Sequence, residues 1–189
     1  TDLVVVHSTE EGRRLQEIQP VPVETVPYPP GLPISPTPLP PRPPLRLVFM
    51  GYVRPYKGLD TAVDAVARLT REGVEVRLTI AGEFWEPEES WRSALEARGI
   101  SEIVDLQPGY VPDEEIGPLL GSHHLVVLPY HSATQSGIAP IAFAAGPPVV
   151  ATALGGLSQQ VEDGLNGVLC PPSDHAAFAR AVVTAARDL

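Results

Sequence analysis

The chain has 189 residues and a formal net charge of -10. That length suits one domain with a flanking piece or one large domain. The acidic balance excludes a non-specific nucleic-acid binder, which shows a basic face. A hydrophobic fraction of 43% is enough for a core. No apolar run approaches the ~18 residues of a membrane span, and no basic-then-apolar leader opens the chain. The chain therefore reads as soluble and cytoplasmic. With 13 basic residues in all, an anionic ligand must be gripped by a few local cations. Cys170 is the only cysteine, which excludes an intrachain disulfide and a cysteine metal cluster. It reads as a small buried hydrophobe near a strand end.

In chain order, Leu3 to Val6 is a short β-branched run, and Ser8 or Thr9 followed by Glu11 predicts a helix start. Val21 to Val26 is a second strand candidate. Twelve of the 23 prolines fall between Pro20 and Pro44. Proline removes a donor and fixes φ, so this stretch is read as a stiff, extended connector between structured pieces. A proline-rich ligand for a small adaptor domain is the other reading of such composition. Leu45 to Met50 predicts a strand ending at Gly51, and from Leu59 the apolar positions follow helical spacing. Val74 to Ala81 predicts a strand, Glu89 to Arg98 a helix stopped by Gly99, and Ile103 to Leu106 a strand. Asp113 to Leu120 predicts a helix with Asp113 as its cap. Leu125 to Leu128 is a continuous apolar run, as in a strand covered on both faces. Gly137 to Ala145 predicts a small-residue helix. A strand at Val149 to Ala151, a helix at Leu157 to Glu162, a strand at Val168 to Cys170 and a helix from Asp174 complete the series. Strand and helix alternate about six times, which predicts an α/β fold with a doubly wound parallel sheet.

Ligands in such folds sit beyond the carboxyl ends of the strands. Three segments there carry candidate chemistry. The first is Gly51 to Gly58, where Arg54 and Lys57 put two cations on one loop, able to grip a diphosphate; two solvated surface charges would have the same spacing. The second is Tyr130 to Gly137. Ser136 is placed to cap the helix that follows, turning free N–H groups and a positive dipole end towards the crevice. Thr134 adds a hydroxyl, and His131 is a loop histidine with a functional role left open. The third is Gly155-Gly156, where backbone approaches something closely. His123 and His124 lack metal-ligand spacing and read as structural. No Ser/His/Asp arrangement, P-loop or dinucleotide fingerprint is present.

Together these segments resemble the retaining GT-B glycosyltransferases called group 1 or family 4. Gly51 to Asp60 (GYVRPYKGLD) looks like their phosphate grip, and Leu78 to Glu83 (LTIAGE) resembles their next strand and glycine turn. Gly109 to Pro112 looks like their loop beside the nucleobase. Val149 to Asp174 (VVATALGGLSQQVEDGLNGVLCPPSD) is the most specific match. The resemblance implies the Rossmann-like C-terminal half of a GT-B enzyme. It implies residues 1–26 as a remnant of an acceptor-binding domain, 27–44 as the interdomain linker, and 45–189 as a donor-binding domain cut short at its C-terminal end. A cut domain of this kind is not expected to be active alone. The implied nucleotide-sugar contacts are Gly51, Arg54, Lys57, Gly82, Glu83, Tyr110, Val111, Thr134, Gln135, Ser136 and Gly137. Arg54 and Lys57 would stabilise charge on the departing diphosphate, with no metal and no cofactor. The implied partners are a nucleotide-sugar donor and a sugar or lipid-linked acceptor, with peripheral membrane association of the full-length enzyme and no nucleic acid.

The sequence departs from that family in three places. Ala133 and Ile141 stand where two glutamates with seven residues between them are frequent, and the second of those is credited with holding the ribose. Tyr52 replaces the arginine that often follows the first glycine. Thr134 to Gly137 matches a TQSG-type subgroup that shares this pattern. A non-catalytic nucleotide-binding relative and a nucleotide-sugar epimerase on the same fold are the other readings. A phosphorylase would need a cofactor lysine motif that is not present.

Overall fold

A computed structural model describes residues 3–187 and residue 189. The chain opens with a small unit: β1 (Val4–Val6), α1 (Thr9–Ile18) and β2 (Val23–Thr25), in which β1 and β2 pair in parallel as a separate two-stranded sheet. Ser8 starts α1 as expected, its Oγ accepting the Glu11 N–H at 3.1 Å.

The main sheet has six parallel strands: β3 (Leu45–Met50), β4 (Val76–Gly82), β5 (Val104–Pro108), β6 (Leu125–Leu128), β7 (Val149–Thr152) and β8 (Gly167–Cys170). Between them run α2 (Leu59–Arg71), α3 (Glu88–Ala97), α4 (Asp113–Gly121), α5 (Ile138–Ala145) and α6 (Leu157–Gln160), and α7 (His175–Arg187) follows β8. The strand order is β5-β4-β3-β6-β7-β8. The chain lays down β3, β4 and β5 in one direction, then returns to the other side of β3 with β6. The order therefore reverses between β3 and β6, and a crevice opens at the carboxyl ends of these two strands.

Both faces of the sheet are covered, which is why the strands are nearly continuous apolar runs. Leu45, Leu47 and Phe49 pack in one core with Val63, Val66 and Leu69 of α2 and Phe178 and Val182 of α7. Val48 and Met50 point the other way, into a core with Leu120, Leu128, Ile141 and Ala142. The two-residue period of a strand puts these sets on opposite faces. The doubly wound α/β fold expected from the element series is the one observed.

Local starts and stops follow residue chemistry, with two corrections. Asp113 does not cap α4; Pro112 occupies the cap position without a side-chain bond, and Asp113 is the first helical residue. Gly137, not Ser136, occupies the cap position of α5, also without a side-chain bond of its own. At α2, Gly58 has φ 66, and a Cβ there would lie 1.9 Å from the Pro129 carbonyl oxygen. Only glycine tolerates that closeness, and it sets the β3–α2 loop against the β6–α5 loop.

Residues 27–44 have no regular structure, yet they are not a free tether. Leu32 and Ile34 pack on the second core. Thr37 N–H donates to the Ala145 carbonyl at 3.0 Å. Gly117 and Gly121, one turn apart on α4, leave a groove for this segment. A Cβ on Gly121 would be 1.9 Å from Thr37 Oγ1, and one on Gly117 would be 3.2 Å from Ile34 Cγ2. The α1 unit also touches the main domain: Thr9 N–H donates to Gln159 Oε1 (3.1 Å), and Gln135 Nε2 to Glu11 Oε2 (2.9 Å).

Candidate nucleotide-sugar site

The crevice at the switch point holds a cavity of about 460 Å³. That size falls in the range of small-molecule sites, roughly 300–1,000 Å³. Its floor is backbone, because Gly51, Gly82 and Gly109 end or follow β3, β4 and β5. Gly82 has φ 136, and a Cβ on it would lie 2.0 Å from the Gly51 carbonyl oxygen, so the two strand ends meet directly. The walls are largely apolar: Met50, Val111, Ile116, Ile138 and Ile141. The polar groups are Lys57, Glu83, Asp113 and the tyrosines Tyr28, Tyr52 and Tyr110.

Lys57 is the cation of this cavity. Its loop folds as a 3₁₀ turn over Pro55–Lys57, which brings the side chain back over the crevice. Its Nζ donates to Tyr130 Oη at 2.7 Å and lies 4.0 Å from the position of a Cβ on Gly51. Burial lowers its pKa below the ordinary lysine value; Tyr56 opposes that and Arg54 adds to it.

Arg54 does not line the cavity. Its guanidinium lies over the Trp85 ring, 3.5 Å from the centroid, and its Nε is buried without a partner. Stacking on an indole desolvates one face of a guanidinium and holds it. Arg54 and Lys57 thus leave the same loop in different directions. Sequence spacing cannot reveal this, because Trp85 comes from the loop after β4.

The β6–α5 loop is fixed by a hydrogen-bond chain. Tyr130 Oη is 3.2 Å from Ser136 Oγ, which accepts the Ile138 N–H at 3.2 Å. The Gln160 side-chain amide clamps the Ser136 backbone, accepting its N–H and donating to its carbonyl, each at 3.0 Å. Ser136 is 2% exposed and faces inwards. Its hydroxyl does meet the start of α5, as expected, but it consumes the Ile138 N–H rather than presenting that donor to the crevice. Pro140 supplies none. Gly137 lines the cavity, and its N–H has no partner among the described residues.

The other expected contacts divide. Glu83 and Tyr110 stand at the rim, with Val111 beside them. Tyr110 is 70% exposed and its hydroxyl donates to Asp113 Oδ1 at 3.3 Å. The Asp113 charge raises the phenol's pKa. Thr134 lies outside this cavity, in a neighbouring one of about 280 Å³ with His131, Ala133, Glu10, Glu11, Arg14 and Gly155-Gly156. Gln135 reaches α1 instead, as noted above. The double glycine admits the β6–α5 loop: a Cβ on Gly156 would be 2.2 Å from the Thr134 carbonyl oxygen.

His131 Nε2 is 3.1 Å from Thr61 Oγ1. His123 and His124 are structural. His123 bonds Thr79 Oγ1 and the Leu119 carbonyl, and His124 bonds the Arg46 N–H and the Pro40 carbonyl. Cys170 is buried, as expected, and burial pushes its thiol up to about 11. Sequence reasoning gave no role to Tyr130 or Tyr28. Tyr130 is the second residue after β6 and could have been found by position. Tyr28 reaches the cavity only because residues 27–44 pack back on the domain, which leaves no local signature.

The sequence profile of the family described as Glycosyl transferases group 1 matches residues 44–188. A D-inositol 3-phosphate glycosyltransferase of Frankia alni is 35% identical over 141 residues, 70% of this chain and 34% of that protein. A glycogen synthase of Mycobacterium tuberculosis is 34% identical over 139 residues, 74% of this chain and 33% of that protein. The chain thus spans about a third of the length of these relatives. Among solved structures, sucrose-phosphate synthase from Thermosynechococcus elongatus superposes on the whole chain with a TM-score of 0.83 at 23% identity, over 50% of its own length. The Anabaena protein HepE, solved with UDP and glucose, superposes on 98% of the chain with a TM-score of 0.76 at 19% identity, over 54% of its own length. These likenesses give the fold, that of a GT-B C-terminal half. With a profile match over most of its length, the chain belongs to the group 1 glycosyltransferase family.

Proposed function

We propose that this chain is the donor-binding part of a retaining glycosyltransferase. In this reading the crevice holds a nucleoside diphospho-sugar and the sugar passes to an acceptor hydroxyl. The observation that carries the reading is Lys57, a partly buried ammonium that lines, with Gly137 at the start of α5, the cavity at the switch point of the sheet. When the bond from the anomeric carbon to the diphosphate breaks, charge builds on the phosphate oxygens. Lys57 and the Gly137 N–H are the groups placed to stabilise it, so the reading uses no metal and no cofactor. Arg54 contributes through the field at the rim and through Trp85. The Anabaena protein HepE, solved also with UDP-glucose, supports the choice of donor class.

The base would sit by Gly109 to Val111. The β1–α1–β2 unit would belong to the acceptor half, with residues 27–44 as the link between the halves. The acceptor is a sugar or lipid-linked group held there, which would bring the full-length enzyme to a membrane surface. We place the enzyme in the cytoplasm, in keeping with a single buried thiol. A non-catalytic nucleotide binder is a second reading, motivated by Ala133 and Ile141 in place of the two family glutamates. One experiment separates the two. The full-length protein is incubated with a labelled nucleotide sugar and acceptors, and the anomeric configuration of the product is read by NMR. The proposal expects transfer with retention. Inversion would refute the retaining assignment, and saturable binding with no turnover on any acceptor would favour the second reading.

A further inference from the structure

Tyr130 is 1% exposed, yet its hydroxyl oxygen touches both Lys57 of the β3–α2 loop and Ser136 of the β6–α5 loop. Its backbone is fixed from the side, because Thr152 Oγ1 donates to its carbonyl at 2.7 Å. Its ring meets Tyr56 edge-on at 6.5 Å. The phenol therefore has little freedom, and its Oη is held between Lys57 Nζ at 2.7 Å and Ser136 Oγ at 3.2 Å.

The direction of these bonds follows from their chemistry. An ammonium only donates, so Lys57 donates and Tyr130 Oη accepts. The phenol proton is then free to point at Ser136 Oγ, which also accepts the Ile138 N–H at the first residue of α5. Gln160 holds the Ser136 backbone from α6. A continuous chain thus runs from the cation of one loop to the helix start of the other.

We propose that Tyr130 is a positioning residue for the nucleotide diphosphate. Its hydroxyl holds Lys57 over the crevice and, through Ser136, keeps the start of α5 in register with it. The proposal rests on the reading of this cavity as a nucleoside-diphosphate site. Burial pushes the Tyr130 hydroxyl up to about 12, so it stays neutral and serves as a fixed dipole rather than a charge. Without that oxygen, Lys57 loses its one hydrogen-bond partner among the described residues, and a partly buried ammonium swings towards water. A preorganised charge is worth more to an anion than one that must be recruited.

The test is a double-mutant cycle on UDP and GDP binding by the chain, read by calorimetry, with folding checked by circular dichroism. Tyr130→Phe keeps the ring and removes the oxygen, and the expected result is about 5- to 30-fold weaker binding of the nucleotide that the wild type prefers. In a Lys57→Ala background the same change should have no further effect. A residue that only filled core volume would weaken binding by a similar factor in both backgrounds. Ser136→Ala gives an independent arm should Tyr130→Phe fail to fold: it should weaken binding alone and lose its effect in the Lys57→Ala background. Wild-type binding left unchanged by Tyr130→Phe, or equal losses in both backgrounds, overturns the role of Tyr130 alone. A folded wild type that binds neither nucleotide overturns the role together with the reading of the site.

Discussion

At the scale of single residues, the account turns on Lys57. Burial, the largest influence on it, disfavours the ammonium, so its pKa lies below the ordinary lysine value. The sign matters in two ways. Folding selects against the charged form, so this residue adds stability only as pH rises through the lowered value towards the ordinary one. An anion in the crevice does the reverse and favours the ammonium. Diphosphate binding should therefore take up protons, and weaken, on the alkaline side. Calorimetry of UDP binding from pH 7 to 10, in buffers of different ionisation enthalpy, should show that limb. Lys57→Ala should lack it and bind about ten-fold or more weakly at pH 7, as for loss of a charge-assisted bond. A limb that persists in the variant would belong to another group. The sequence showed two cations on the loop after β3 but not their directions. Lys57 lines the cavity and Arg54 lies on Trp85, because an aromatic side chain more than two dozen residues further along offers Arg54 a face.

At the scale of elements, α2, α3 and α7 are joined by one carboxylate. Asp64 on α2 accepts from Arg98 Nε at 2.6 Å, just past the end of α3, and lies 2.7 Å from His175 Nδ1 at the start of α7. Burial raises its pKa, but the bonds from Arg98 and His175 outweigh that, and the carboxyl is held below its ordinary value. A carboxylate with a depressed native pKa stabilises the fold above its unfolded value, and that contribution fades as pH falls through the native value. Asp64→Asn should lower the melting temperature by a few degrees at pH 7, with the gap narrowing in acid below the ordinary aspartate range. Thermal unfolding at several pH values checks this, and an equal gap at all pH values would show that the charge is not the cause. Apolar periodicity made α2 and the strands legible to within a few residues. The three-way join was not, since it depends on the positions of α3 and α7. The Gly117 and Gly121 groove that seats residues 34–37 was invisible for the same reason: proline content predicts stiffness but not a docking partner.

At the scale of the whole molecule, six apolar strands alternating with helices specified a doubly wound sheet, and the reversal between β3 and β6 placed the crevice. Gly51, Lys57, Gly82, Glu83, Tyr110, Val111 and Gly137 gather there as the strand-end rule anticipates. Thr134, Gln135 and Ser136 do not line it. Gln135 reaches Glu11 of α1, and the Ser136 hydroxyl turns inwards to Tyr130 and the Ile138 N–H. Ile141 lines the cavity where the family pattern has a carboxylate, so the proposed reading has the donor held mainly at its diphosphate. That is the central claim, and titration of the folded chain with UDP and GDP by calorimetry tests it most directly. Saturable one-to-one binding of at least one of them is expected, at millimolar affinity or tighter, weakened about ten-fold or more in Lys57→Ala. No heat from either at millimolar ligand, or binding that Lys57→Ala leaves intact, would contradict it.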